Sequence, residues 1–165
     1  QSSGGTMKLS TLMIGLAVTG VVATFASFPL YKHAQTKQRA RNEASAIGSL
    51  KAIANAQTLF REGDKDQDGV LAYAPDLQTL VKTGLLDPDL QDGIASGYRF
   101  VVRHHASPAQ QSQYVWSATA EPVLLGYTGD RFFGANMAGL LPFSSEKPVT
   151  FNSDGSVQHG WILSN

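Results

Sequence analysis

The sequence predicts an α+β fold in which a long N-terminal α-helix packs on a small antiparallel β-sheet domain. Three observations predict it: an uncharged run near the N-terminus, an Ala-rich stretch of helical periodicity after it, and a second half rich in β-branched residues and turn signals. The chain has 165 residues, a formal net charge of zero and no cysteine. Disulfides, thiolate metal sites and cysteine nucleophiles are therefore excluded, and the balanced charge gives no overall attraction to nucleic acid or membrane lipid.

The first element is the run from Leu9 to Tyr31, which carries no charged side chain. As a helix it would span roughly 30 Å, the thickness of a bilayer core. Soluble helices are rarely apolar on every side, so we expect this segment to meet lipid or to be buried by other helices. Three interpretations stay open: a signal peptide cleaved after Ala26, a simple membrane anchor, and the packing core of an assembly. Basic residues follow the run at Lys32, Lys37, Arg39 and Arg41.

The stretch RNEASAIGSLKAIANAQTLFRE continues the helical pattern, and Gly63 with Asp64 ends it. We expect one helix from Lys8 to Arg61, about 80 Å long, that is kinked or locally unwound at Pro29. Its first half is apolar all round, and its second half is apolar on one face. That face carries Ile47, Leu50, Ile53 or Ala54, Gln57 and Phe60.

An apolar half-helix that leads into an amphipathic half-helix and a small domain resembles the type IV pilin superfamily, which includes the type II secretion pseudopilins. The matching stretch is LMIGLAVTGVVATFASFPLYK, where Leu12, Met13, Ile14 and Gly20 follow the family pattern and Pro29 lies one residue late. NEASAIGSLKAIANAQ also resembles the second half of pilin first helices. The resemblance covers roughly the first sixty residues.

The resemblance implies a structural subunit, not an enzyme, of a type IV pilus-like or pseudopilus filament. Such a subunit waits in the inner membrane and then polymerises into an extracellular or periplasm-spanning filament. Implied partners are further copies of the chain, an inner-membrane assembly machinery and a prepilin peptidase. Thr11 stands where the family usually has a glutamate that pairs with the terminal amine of a neighbour. The expected filament-core residues are Leu12, Ile14, Leu16, Val18, Gly20, Val21, Val22, Phe25, Phe28 and Pro29.

An acidic loop, EGDKDQDGVLAYAPD, follows the long helix. Three aspartates alternate before Gly69, as in the first half of an EF-hand calcium loop, but Pro75 takes the place of the bidentate glutamate. The alternative is an acidic turn at the end of the helix. The candidate Ca²⁺ ligands are the carboxylates of Asp64, Asp66 and Asp68 and the carbonyl of Val70.

The remainder predicts a short helix and an antiparallel sheet of four to six strands. PDLQTLVKTGLL has Asp76 near the helix start and Gly84 at its end. GYRFVVRH and QYVWSATAEPV predict strands, a hairpin turns near residues 136–139, and Asp154-Gly155 marks another hairpin. The predicted domains are residues 1–30, the apolar anchor or filament core, and residues 31–165, a globular domain with the helix half 31–62 and the sheet over 94–165.

Enzyme signatures are not found in the sequence. It has no G-x-S-x-G elbow, P-loop or dinucleotide fingerprint. His104 and His105 are adjacent, so in a strand they point to opposite faces and do not share a metal. The sequence therefore predicts a non-enzyme with no certain cofactor apart from the Ca²⁺ that suits the acidic loop. The alternative function is a membrane-anchored, monomeric periplasmic binding or accessory module.

Overall fold

The computed structural model describes the backbone of residues 8–105 and 115–162, and the side chains of residues 32–105, 115–138 and 146–160. The chain divides into two compact units, Gln1–Gln38 and Arg39–Asn165. The helices are α1 (Lys8–Glu62) and α2 (Leu77–Lys82), with a 3-10 turn at Pro88–Leu90. The strands are β1 (Ile94–Ala95), β2 (Tyr98–His104), β3 (Trp116–Pro122), β4 (Phe132–Asn136), β5 (Gly139–Ser145), β6 (Thr150–Phe151), β7 (Val157–His159) and β8 (Trp161–Ile162).

The predicted α+β class is confirmed, because the second half of a long helix shares one core with a small antiparallel sheet. Over the described backbone the sheet has six strands in the order β1-β2-β3-β4-β5-β8. β6 and β7 form a separate two-stranded sheet around the Asp154-Gly155 turn. The single sheet predicted for residues 94–165 is therefore divided into two. The predicted domain boundary at residue 30 stays a prediction.

The apolar face of α1 within the second unit is formed as its periodicity predicts. Ile47 is partly buried, and the rest of the predicted face is almost fully buried with a spacing of three or four residues. α1 ends at Glu62, where Asp64 adopts a left-handed conformation with φ of 42°. The fully covered members of this face are Leu50, Ile53, Ala54, Gln57 and Phe60.

α2 is held at both ends by local chemistry that the sequence shows. The Asp76 carboxylate accepts a hydrogen bond from the Thr79 N–H at 2.8 Å and so caps the first turn. At the other end, Gly84 takes a φ of 71° and its N–H bonds the Val81 carbonyl, while Leu85 N–H bonds the Leu80 carbonyl. This pair of bonds is a Schellman motif, which satisfies the last carbonyls of the helix.

Two ends of the sheet are distinguished by the register of β2 and β3. Tyr98 pairs with Pro122 at one end, and His104 pairs with Trp116 at the other. We call the first the entry end, because the loop that follows Pro122 contacts Arg39, where the second unit begins. The second is the distal end, to which the last turns of α1 run.

Candidate functional site

The predicted filament-core residues, Leu12 to Pro29, lie outside the side chains that the structure describes. α1 is helical over this backbone. Within the described residues, no helix combines the length and the apolarity needed to cross a bilayer. The packing role of these residues therefore stays a prediction.

The acidic loop brings its three aspartates together. One ligand oxygen from each of Asp64, Asp66 and Asp68 lies within 4.8 Å of the other two, the one such group among the described residues. Asp64 Oδ2 accepts the Gly69 N–H at 3.2 Å, and Asp68 Oδ1 accepts the Val70 N–H at 2.7 Å. These bonds fold the loop back on itself, with Gly69 at a φ of 79° that favours glycine. The spacing predicted from sequence thus gives one compact carboxylate cluster.

One atom of this cluster is unsatisfied. Asp64 Oδ1 is buried and has no hydrogen-bond partner. A buried carboxylate oxygen without a donor costs free energy, and a bound cation would remove that cost. The Val70 carbonyl, predicted as a fourth ligand, accepts the Ala72 N–H at 2.7 Å and keeps one lone pair for an ion. Asp76, one residue beyond the twelfth loop position, is engaged as the cap of α2 and adds nothing to the cluster.

The entry end carries a charged network that joins α1 to the β3–β4 loop. Glu43 is 7% exposed, and its Oε1 accepts the Asp130 N–H at 2.8 Å. Its Oε2 accepts two N–H groups of the Arg131 guanidinium, from Nη2 at 2.8 Å and from Nε at 2.9 Å. Arg39 pairs with Asp130 at 2.7 Å, and Asn42 donates to the Thr128 carbonyl at 2.9 Å. Charge-assisted and bidentate bonds are the stronger class, so this loop is firmly placed against α1.

The same loop exposes a run of apolar side chains. We call residues 123–127 the apolar loop. Val123, Leu124, Leu125 and Tyr127 are 48, 55, 56 and 65% exposed, although they are neighbours in the chain. Adjacent large apolar side chains left in water are unusual and indicate a surface with a partner.

No family model, no curated protein and no solved structure matches this chain. The function is therefore inferred from the chain's own residues and from the resemblance of its first sixty or so residues to pilins.

A histidine and a serine form a close pair on the face of the sheet that β6 covers. His105 Nε2 lies 2.5 Å from Ser117 Oγ, and the His105 ring lies 6.1 Å from the Phe151 ring. Burial, followed by the charges of Arg103 and His104, lowers the pKa of His105 below its ordinary value. A serine next to a neutral histidine is the contact from which hydrolases build a nucleophile. Ser117 is only 3% exposed, and the pair lies in the wall of a small cavity that Val149 and Phe151 also line.

Sequence reasoning missed the apolar loop, the Glu43 network and the His105–Ser117 pair. Only the apolar loop had a signal in the local sequence: Val-Leu-Leu-Gly-Tyr lies between Pro122 and Asp130, with a glycine at a turn position. The adjacent histidines do diverge as predicted, because His104 Nε2 lies 3.0 Å from the Tyr73 carbonyl while His105 bonds Ser117.

Proposed function

We propose that the protein is a structural subunit of a type IV pilus-like or pseudopilus filament. The observation that carries this proposal is the joining of the uncharged run Leu9–Tyr31 to a helix whose next part, residues 43–60, is built into the core of a small α+β domain. A run that is apolar on all sides needs lipid or other helices around it. A domain that follows it in the chain would be displayed outside that layer.

Polymerisation follows from the exchange of one apolar environment for another. In the membrane the helix satisfies its own backbone, and on assembly its side chains pack against copies of themselves. Burial of ~1,000 Å² of apolar surface per subunit would contribute on the order of 25 kcal/mol before entropy costs. Contacts between different faces of identical subunits generate a helical filament when the rotation between subunits does not close. The subunit would be held in the inner membrane first and would then enter an extracellular or periplasm-spanning filament.

The proposal is tested by placing a charge in the run. Val21→Asp should leave the domain folded and abolish filaments in material sheared from cells, because an unpaired carboxylate cannot be buried among apolar helices. Ala52→Asp is the matched control, since Ala52 is an exposed α1 residue of the folded domain and its substitution should leave filaments in place. Normal filaments from the Val21→Asp strain would refute the proposal. A dispersed, active fragment after deletion of residues 1–30, with no filament in the native cell, would favour the anchored monomeric module.

We also propose that the acidic loop binds Ca²⁺, supported by the clustered carboxylates and the unsatisfied Asp64 Oδ1. With three carboxylates, one carbonyl and no bidentate glutamate, we expect a weak site, with a Kd of about 10⁻⁴–10⁻³ M as in extracellular modules.

Calcium at millimolar concentration should then raise the free energy of unfolding by about 1–2 kcal/mol and the melting temperature by several degrees. Asp66→Asn should remove this shift, while Asp89→Asn, a change of an exposed aspartate elsewhere, should keep it. An equal melting temperature in calcium and in chelator would rule out the site.

A further inference from the structure

We propose that the apolar loop, residues 123–127, lies in the headgroup layer of an anionic bilayer while the subunit is anchored in the membrane. The inference rests on the membrane residence in the proposed function and adds a second contact of the domain with lipid. It begins from four neighbouring side chains, Val123, Leu124, Leu125 and Tyr127, each about half exposed or more. Tyrosine and leucine are suited to this layer, where a ring can be partly wet and partly covered.

Chain connectivity limits how far the apolar loop can lie from the predicted anchor. Arg39 Nη1 donates to the Gly126 carbonyl at 3.2 Å, and Asn42 holds the Thr128 carbonyl, so the loop is attached to the first residues of its unit. Tyr31, the last residue of the uncharged run, precedes Arg39 by eight residues. Eight residues span at most about 28 Å even when fully extended. A bilayer that holds the run is therefore within reach of the loop.

Four of the five backbone N–H groups of the apolar loop are already bonded, which favours entry into a water-poor layer. Val123 N–H bonds the Gly97 carbonyl at 2.9 Å, and Gly126 N–H bonds the Gly129 carbonyl at 2.9 Å. Leu124 N–H bonds Thr128 Oγ1 at 3.0 Å, and Tyr127 N–H bonds the Leu124 carbonyl at 3.0 Å. Entry into the headgroup layer would expose few unpaired backbone groups to low dielectric. The loop can therefore bury its side chains without a change of conformation.

Charge favours an anionic lipid surface over a second protein copy as the partner. Residues 32–41, which join the uncharged run to the second unit, include four Lys or Arg and no Asp or Glu. Each cation near an anionic surface contributes about 1 kcal/mol of attraction. Arg39 forms an ion pair with Asp130, the acidic residue of the loop region, so the attraction to lipid would come from Lys32, Lys37 and Arg41. A second copy presents no net negative charge to these cations, because the chain has a formal net charge of zero.

The test uses site-specific fluorescence, for which the chain is suited because it has no native cysteine. The full chain carrying Leu125→Cys is labelled with an environment-sensitive fluorophore and placed in vesicles of phosphatidylcholine and phosphatidylglycerol. Lipids with nitroxide quenchers at headgroup depth and at deep acyl positions report where the label lies. Ser153→Cys is the matched control, since Ser153 is exposed in the β6–β7 turn beside Gly155, whose neighbours Val115 and Met137 lie at the distal end. Val21→Cys reports on the uncharged run.

We expect the label at position 125 to be blue-shifted and quenched several-fold more by headgroup nitroxides than the label at position 153. The difference should shrink in vesicles of phosphatidylcholine alone and on adding Leu124→Ser and Tyr127→Ser to the position 125 variant. Equal, water-like signals at positions 125 and 153 would overturn the inference. A blue shift at position 125 that also appears in detergent and grows with protein concentration would overturn it too, because it would mean that the loop binds a second copy of the chain. A label at position 21 that escapes deep quenchers would instead refute the membrane residence in the proposed function.

Discussion

The entry end of the sheet is fastened to α1 by charges, whereas the distal end is fastened by an amide and aromatic rings. At the entry end, Glu43 holds Arg131 and the Asp130 backbone. At the distal end, fully buried Gln57 bonds both the N–H and the carbonyl of Ala74 at 2.8 and 3.0 Å, and the Tyr73 ring packs edge-on against Trp116 at 6.1 Å. One helix is thus held by two different kinds of interaction.

The difference between the ends is also one of distance along the chain. The bonds of Glu43 join residues 87 and 88 positions apart, while those of Gln57 join residues 17 positions apart. The distal contacts close a short loop, which costs little entropy, and the entry contacts require the sheet to be in place. We therefore expect the distal contacts to persist under conditions that break the entry contacts, and the entry contacts to be the more sensitive to salt.

Steric change at the entry end should have the largest effect. A Cβ on Gly129 would overlap the hydroxyl of Tyr98, which is fully buried and bonds the Arg131 carbonyl at 2.9 Å. Gly129→Ala should lower the free energy of unfolding by about 3 kcal/mol, measured by urea denaturation of the full chain in mild detergent. Gly48→Ala is the matched control, because no atom lies within 4 Å of a Cβ on this exposed helical glycine. It should raise stability by up to about 1 kcal/mol, and a loss of similar size in both variants would contradict the steric account.

Removing one polar partner at each end compares the contacts of Glu43 with those of Gln57 directly. Gln57→Leu leaves the Ala74 backbone groups unpaired inside the core and should cost about 2–3 kcal/mol of unfolding free energy. Glu43→Gln keeps the volume but removes the charge and replaces one accepting oxygen with an NH2 group. The Arg131 side chain is 45% exposed and can bond water instead, so about 1 kcal/mol is expected. Added salt should reduce the cost of the Glu43 change alone. If Glu43→Gln cost more unfolding free energy than Gln57→Leu at low salt, the entry end would be the more strongly held of the two.

Protonation of His105 should have the smallest effect. Because burial lowers its pKa in the folded state, the unfolded chain binds a proton more readily. The folded state should therefore lose stability as the pH falls below about 6.5, the ordinary pKa of histidine, and regain it above. His105→Gln should flatten this part of a stability-versus-pH curve. An unchanged slope in the His105 variant would show that other groups cause the pH dependence.

Local patterns in the sequence predicted much of the fold. The buried face of α1 follows from helical spacing, and the α2 ends follow from Asp76 and Gly84. The β4–β5 hairpin turns where predicted, with Asn136 paired to Gly139. The acidic cluster also forms from its alternating aspartates. Each of these depends on residues within a few positions of one another, so the sequence pattern alone was sufficient.

The features that the sequence did not predict depend on tertiary contacts. Nothing near Glu43 indicates that its partner is Arg131, and nothing near Ser117 indicates His105, since such pairs exist only once the strands are aligned. The two-residue strands β1 and β6 are too short to show periodicity. The apolar loop was missed because Val123 to Tyr127 has the composition of a strand.

The described sheet ends in very short strands, β1 at one edge and β8 at the other, each two residues long. An edge strand of that length offers few backbone N–H and C=O groups for pairing with a strand of another chain. Crowded copies would then have little opportunity to fuse into amyloid-like ribbons, and any ordered association has to use helices, loops or side chains. In a filament made of many copies of the chain, such short edge strands would disfavour irreversible β-sheet aggregation.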